Sequence, residues 1–81
     1  MFVEQIGREL KLIRLRKELT LESAAEILGI HKNTLSVYEN NPEILKIGKL
    51  YSFLEKYNVS SDIFFKNICE YIHDNNTKKE E

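Results

Sequence analysis

The sequence predicts an all-α protein, a bundle of five helices, and three observations carry this. Only three glycines (Gly7, Gly29, Gly48) and one proline (Pro42) interrupt the 81 residues, too few breakers for a chain of short strands and turns. Apolar residues recur at helical spacing and never alternate in β-branched runs. Residues suited to start or stop a helix stand between the periodic stretches.

The first helix is expected over about residues 3–17, where Val3, Ile6, Leu10 and Ile13 mark a buried stripe. Glu18-Leu19 breaks the pattern. Thr20 is a plausible N-cap, with Glu22 in the first turn of a short second helix over 21–28. Ala24, Ala25 and Leu28 point inward there, and the paired alanines let another helix approach closely. Gly29 then suits the left-handed position that closes a helix. After the apolar Ile30, His31 opens a third helix over about 32–40 with Leu35 and Tyr38 inward. Asn41 is expected to be a left-handed cap, and Pro42 cannot continue the helix. A fourth helix over about 46–57 places Ile47, Leu50, Leu54 and Tyr57 on one face, with Phe53 beside them. Asn58 again occupies a capping place. Ser60 or Ser61 can start a fifth helix, with Asp62 in its first turn. That helix, about 62–73, carries one stripe for the core and a second formed by Phe65, Cys69 and Ile72. Residues 74–81 (DNNTKKEE) are polar and aperiodic and are expected to form a flexible tail.

Composition narrows the function classes. A chain this short is one domain near the lower size limit for a self-sufficient core, so a second subunit would add useful burial. With 42% hydrophobic and 31% charged residues, it has an ordinary globular balance. No run approaches the roughly 18 apolar residues of a membrane span. Met1-Phe2-Val3-Glu4 lacks the basic start of a secretory signal. The single Cys69 cannot form an intrachain disulfide, which fits a reducing cytoplasm. His31 and His73 lie far apart and nothing has metal-ligand spacing, so neither a metal nor another cofactor is expected. There is no Ser/His/Asp set, no paired carboxylates and no phosphate loop, and a small bundle offers little room for a closed pocket. An enzyme and a small-molecule ligand are therefore not expected. Twelve basic and thirteen acidic residues give a net charge of −1, which argues against a non-specific polyanion binder but leaves room for a small basic face.

The informative stretch is Thr20 to Asn41, TLESAAEILGIHKNTLSVYENN: cap, short helix with paired alanines, glycine turn, apolar residue, second short helix, cap. This is a helix-turn-helix arrangement, in which the second helix stands at a steep angle and can enter a DNA major groove. At Arg14, Leu19-Thr20, Ala25, Leu28-Gly29-Ile30, Thr34-Leu35-Ser36, Glu39-Asn40 and Val59-Ser60 the sequence resembles the phage-repressor/Cro (XRE-type) helix-turn-helix family, over about Ile6 to Phe64. The resemblance implies a five-helix bundle of the phage repressor type, with domain limits at about 1–73, and a homodimeric regulator of palindromic double-stranded DNA. It implies an ion pair between Arg14 and Glu39. It also implies base reading by Lys32, Asn33, Thr34 and Val37, and backbone contacts from Thr20 and, above all, Lys17 and Asn40, with His31, Lys46 and Lys49 behind them. Lys suits guanine, Asn suits adenine, and Thr or Val suits a thymine methyl. Phe65, Ile68, Cys69 and Ile72 are the expected dimer face. The length and ending look similar to controller proteins of restriction–modification systems, and a phage or mobile-element repressor fits nearly as well.

The sequence departs from the family at three places. Leu21 stands where the family usually has a phosphate-touching Gln, Asn41 stands where it has Gly, and Leu45 occupies the place of a proline. A second reading is therefore a protein-interaction module of the same fold that sequesters another regulator.

Overall fold

The computed structural model describes the backbone of residues 2–80 and the side chains of residues 2–75. Five α-helices follow in order: α1 (Phe2–Arg16), α2 (Leu21–Leu28), α3 (Lys32–Asn40), α4 (Ile47–Lys56) and α5 (Ser61–Glu80). A 3-10 turn, Pro42–Ile44, lies between α3 and α4, and no strand occurs among the described residues. The chain is all-α, as the breaker count and periodicity predict.

Three of the four connections share one closure. Each ends a helix on a left-handed residue: Glu18 (φ 57°), Gly29 (φ 73°) and Asn58 (φ 60°). In each, the next amide reaches five residues back, from Leu19 to the Arg14 carbonyl (3.0 Å), Ile30 to Ala25 (3.0 Å) and Val59 to Leu54 (2.9 Å). This bond satisfies a carbonyl that the helix leaves open. The residue after each left-handed position is apolar, and Leu19, Ile30 and Val59 all rest on the core.

The fourth connection differs from expectation. Asn41 is not left-handed; its φ is −132° and its ψ 66°. The cause is Pro42, whose ring restricts the residue before it and favours extended backbone there. Pro42 then starts the 3-10 turn and is itself buried.

The core gathers Leu10, Ile13, Ala24, Ala25, Leu28, Leu35, Leu50, Phe53, Leu54, Tyr57, Phe64 and Ile68. Two residues expected inside are not: Ile47, at the start of α4, is 68% exposed, and Val3 is also exposed. Near Val3 the inward face of α1 is taken by Gly7 instead. A Cβ on Gly7 would overlap the carbonyl oxygen of Glu39 and crowd the Pro42 ring, so glycine lets α1 lie directly on the end of α3.

α5 packs on α1 through Phe64 and Ile68, a pair at i, i+4. Beside them, Glu9 is buried and its Oε2 accepts from Arg16 Nη1 and Asn67 Nδ2, each at 3.2 Å. The Arg8 guanidinium sits 4.1 Å from the centre of the Tyr71 ring, a cation–π contact along the same seam. This packing corrects the expected dimer face. Ile68 is 1% exposed within its own chain and cannot face a partner. Phe65 is half-covered by Phe2, stacked at 6.3 Å, and by Tyr51 at 6.2 Å. Ile72 is half-buried and Cys69 is exposed. A second correction concerns the end of α5. Helical backbone continues past residue 73 to Glu80, since no glycine or proline stops it and Asn75 Nδ2 donates back to the Tyr71 carbonyl at 2.7 Å. Glu81, the last residue of the expected tail, lies outside the described residues.

Candidate nucleic-acid interface

The expected reading residues form one exposed surface at the start of α3. Lys32, Asn33, Thr34 and Val37 are all exposed, while Leu35 and Glu39 turn the opposite face of the helix into the protein. His31 holds the N-cap position, and its Nδ1 accepts from the Asn33 amide at 3.1 Å. An accepting Nδ1 leaves the ring proton on Nε2, directed away from the cap as an outward donor. Thr20 caps α2 in the same way, accepting from the Ser23 amide at 3.1 Å.

The far end of α3 is anchored. Arg14 Nε donates to Glu39 Oε2 at 2.9 Å and Nη2 donates to Oε1 at 3.2 Å, a side-on bidentate pair. The third guanidinium nitrogen, Nη1, donates to the Leu19 carbonyl at 3.1 Å. One side chain of α1 thus ties the end of α3 and the turn before α2. The two side chains are 9% and 4% exposed. The Glu39 hydrogen bond raises the Arg14 pKa further, and burial opposes it. The guanidinium is therefore charged at every relevant pH. Tyr57, at the end of α4, lies within the field of this pair. Burial, and then the negative charge of Glu39, push its hydroxyl up to about 12. That hydroxyl is buried with no hydrogen-bond partner among the described residues.

The expected phosphate contacts are less uniform. Lys46 stands at the N-cap position of α4, and both it and Lys49 are exposed. Asn40 is exposed, but its Nδ2 donates into its own helix, to the Ser36 carbonyl at 2.8 Å. Lys17 lines a hollow of about 340 Å³ with Arg16, Asn58, Ser60 and Ile63, between α1 and the α4–α5 turn rather than at α3.

Three contributors escaped the sequence reading. Gly7 had a signal, being a lone glycine inside a helical pattern. Lys56 Nζ donates to the Leu28 carbonyl at 3.2 Å, placing a cation at the C-terminus of α2, where the helix dipole favours it. Glu22 accepts from Lys32 Nζ at 3.2 Å. Neither of these last two contacts has a spacing signature, because each crosses between helices.

A family model described as Helix-turn-helix matches residues 10–64, from the buried stripe of α1 to the start of α5. The chain belongs to the phage-repressor/Cro helix-turn-helix family. This helix-turn-helix protein is a DNA-binding regulator in the general sense of its family, which is not a family of enzymes. No similar curated protein and no similar solved structure was found. Among the described residues of the regulator, no helix is long and apolar enough to cross a membrane.

Proposed function

We propose that the protein is a sequence-specific transcriptional regulator that binds palindromic operators as a homodimer. The start of α3 enters the major groove. The observation that carries this reading is the asymmetry of α3: an exposed edge at Lys32, Asn33, Thr34 and Val37, on a helix whose other end is pinned by Arg14. In this reading Lys32 and Asn33 bond base edges, Thr34 and Val37 touch methyl groups, and Lys46, Lys49 and the His31 Nε2–H hold phosphates. Thr20 and Asn40 serve as phosphate contacts where they exchange their present internal bonds for DNA, and Lys17 serves where the backbone runs past the end of α1.

A single reading helix contacts few base pairs, so two copies related by a two-fold axis are needed for useful discrimination. The proposed dimer face keeps Phe65, Cys69 and Ile72 from the sequence reading. It replaces Ile68 with Phe2 and Tyr51, whose exposed rings adjoin Phe65.

Enrichment of a randomised duplex pool on the wild-type protein tests the function, with a palindromic consensus expected. Asn33→Ala should then cost about 1–3 kcal/mol on that consensus and relax preference at one base pair per half-site. An unchanged preference would remove Asn33 from the reading set. Sedimentation equilibrium tests the dimer: Tyr51→Asp should shift the protein toward monomer while leaving its helical content intact.

The departure at Leu21 and the net charge of −1 favour the second reading, a module of this fold that sequesters another regulator. A pool that yields no consensus would support it.

A further inference from the structure

We infer that Glu22 is a specificity-determining residue that acts through Lys32, suppressing capture of DNA backbone in favour of base reading. This rests on the DNA-binding reading above. The Lys32 ammonium lies 3.2 Å from Glu22 Oε1, linking the first turn of α2 to the first turn of α3. Both side chains are exposed, 49% and 74%, so the carboxylate belongs to the same surface as the reading residues.

The two kinds of DNA acceptor respond differently to this arrangement. A phosphate is an anion. For Lys32 to grip one, it must bring Glu22 close to a second negative charge or abandon it beside the phosphate row, and both are unfavourable across a few ångströms of partly excluded water. The O6 and N7 atoms of guanine are neutral acceptors on a base edge. Lys32 can donate to them while retaining Glu22 as a counter-charge. The pair therefore withdraws one cation from the sequence-independent attraction that dominates non-specific binding. It leaves that cation's donor capacity available in the groove. In a chain of net charge −1, the fate of one lysine weighs heavily on the ratio of specific to non-specific affinity.

The test uses the full chain, by fluorescence anisotropy, with two probes: a random-sequence duplex and the duplex enriched by the wild-type protein. Glu22→Gln keeps the side-chain shape and removes the charge. On the random duplex it should tighten binding by about threefold to tenfold near 0.1 M salt and steepen the plot of log K against log salt by about one unit, the release of one more counterion. On the enriched duplex the gain should be smaller, so the specificity ratio falls. The same substitution in a Lys32→Gln background should lose most of its effect, which a merely structural role for Glu22 would not produce. An equal gain with and without Lys32 would make Glu22 a general repellent and overturn the coupling. Binding and salt slope unchanged by Glu22→Gln would overturn the inference while leaving the DNA-binding reading intact. No binding to either probe, by wild type or variant, would sink both.

Discussion

The two ends of α3 are built on opposite principles. At its start, Asn33 and Thr34 stand in solvent, Lys32 reaches only the exposed Glu22, and the His31 ring caps the helix. At its end, Glu39 is buried under Arg14, and Gly7 lies against its backbone and the Pro42 ring. The start can vary in sequence with little consequence for the fold, because its side chains touch little. The end cannot, because it fixes the angle at which the whole helix stands. A reading element needs both: a rigid base so that a small displacement does not spoil every hydrogen bond, and a free tip to carry the chemistry.

Removing one partner of the Arg14–Glu39 pair should break this contrast most severely. Glu39→Ala or Arg14→Ala alone should destabilise by about 3–5 kcal/mol, because a lone charge is left in a poorly hydrated place. The double substitution should cost less than the sum of the two single ones. Urea denaturation of the four proteins measures the coupling, and a value indistinguishable from zero would mean that the pair contributes nothing to the anchor.

A smaller effect, with an instructive sign, is expected at Gly7. Alanine in place of glycine within a helix normally stabilises by about 1 kcal/mol. Here the new methyl would meet the Glu39 carbonyl, a backbone atom that cannot rotate away, and overpacking of this kind costs about 1–3 kcal/mol. Gly7→Ala should therefore lower the melting temperature. A raised melting temperature would show that α1 and α3 can part without penalty.

The mildest probe is pH. The Tyr57 hydroxyl has an ordinary value of 10.0 in the unfolded chain and is pushed up to about 12 in the fold. Between those values the unfolded chain has lost a proton that the folded chain retains. Stability from this source is thus complete below pH 10 and declines as pH rises toward 12. Tyr57→Phe should flatten that part of the stability profile. Phenolate absorbance during an alkaline titration would follow the late tyrosine directly.

The same division explains what the sequence could show. The limits of α2 and α3 and the left-handed Gly29 were legible because caps, period and a glycine turn all coincided at those residues. The exposed edge of α3 was legible from its polar start. The arrangement around the anchored end was not. Asn41 looked like a left-handed cap, but its own neighbour Pro42 forbade it. Ile68 looked as eligible for a partner as Phe65, since periodicity counts apolar stripes without saying which one meets α1. The Glu22–Lys32 bridge depends on the crossing of two helices. Pairing between elements is decided in three dimensions, and residue spacing along one chain carries little trace of it.

The three matching helix closures have a consequence for how the molecule opens. Turns are commonly the first places where amide hydrogens exchange with solvent. In this chain, the Leu19, Ile30 and Val59 amides each bond to a carbonyl five residues back, and each carries a side chain seated on the core. None of the three can release its hydrogen without lifting an apolar plug from the interior. Their exchange should therefore track unfolding of the whole bundle, at rates close to those of the most protected core amides. The Asn33 amide, held only by an exposed imidazole, should exchange through brief local fraying. Three of the loops of this small protein are its rivets, while the start of α3 opens on its own.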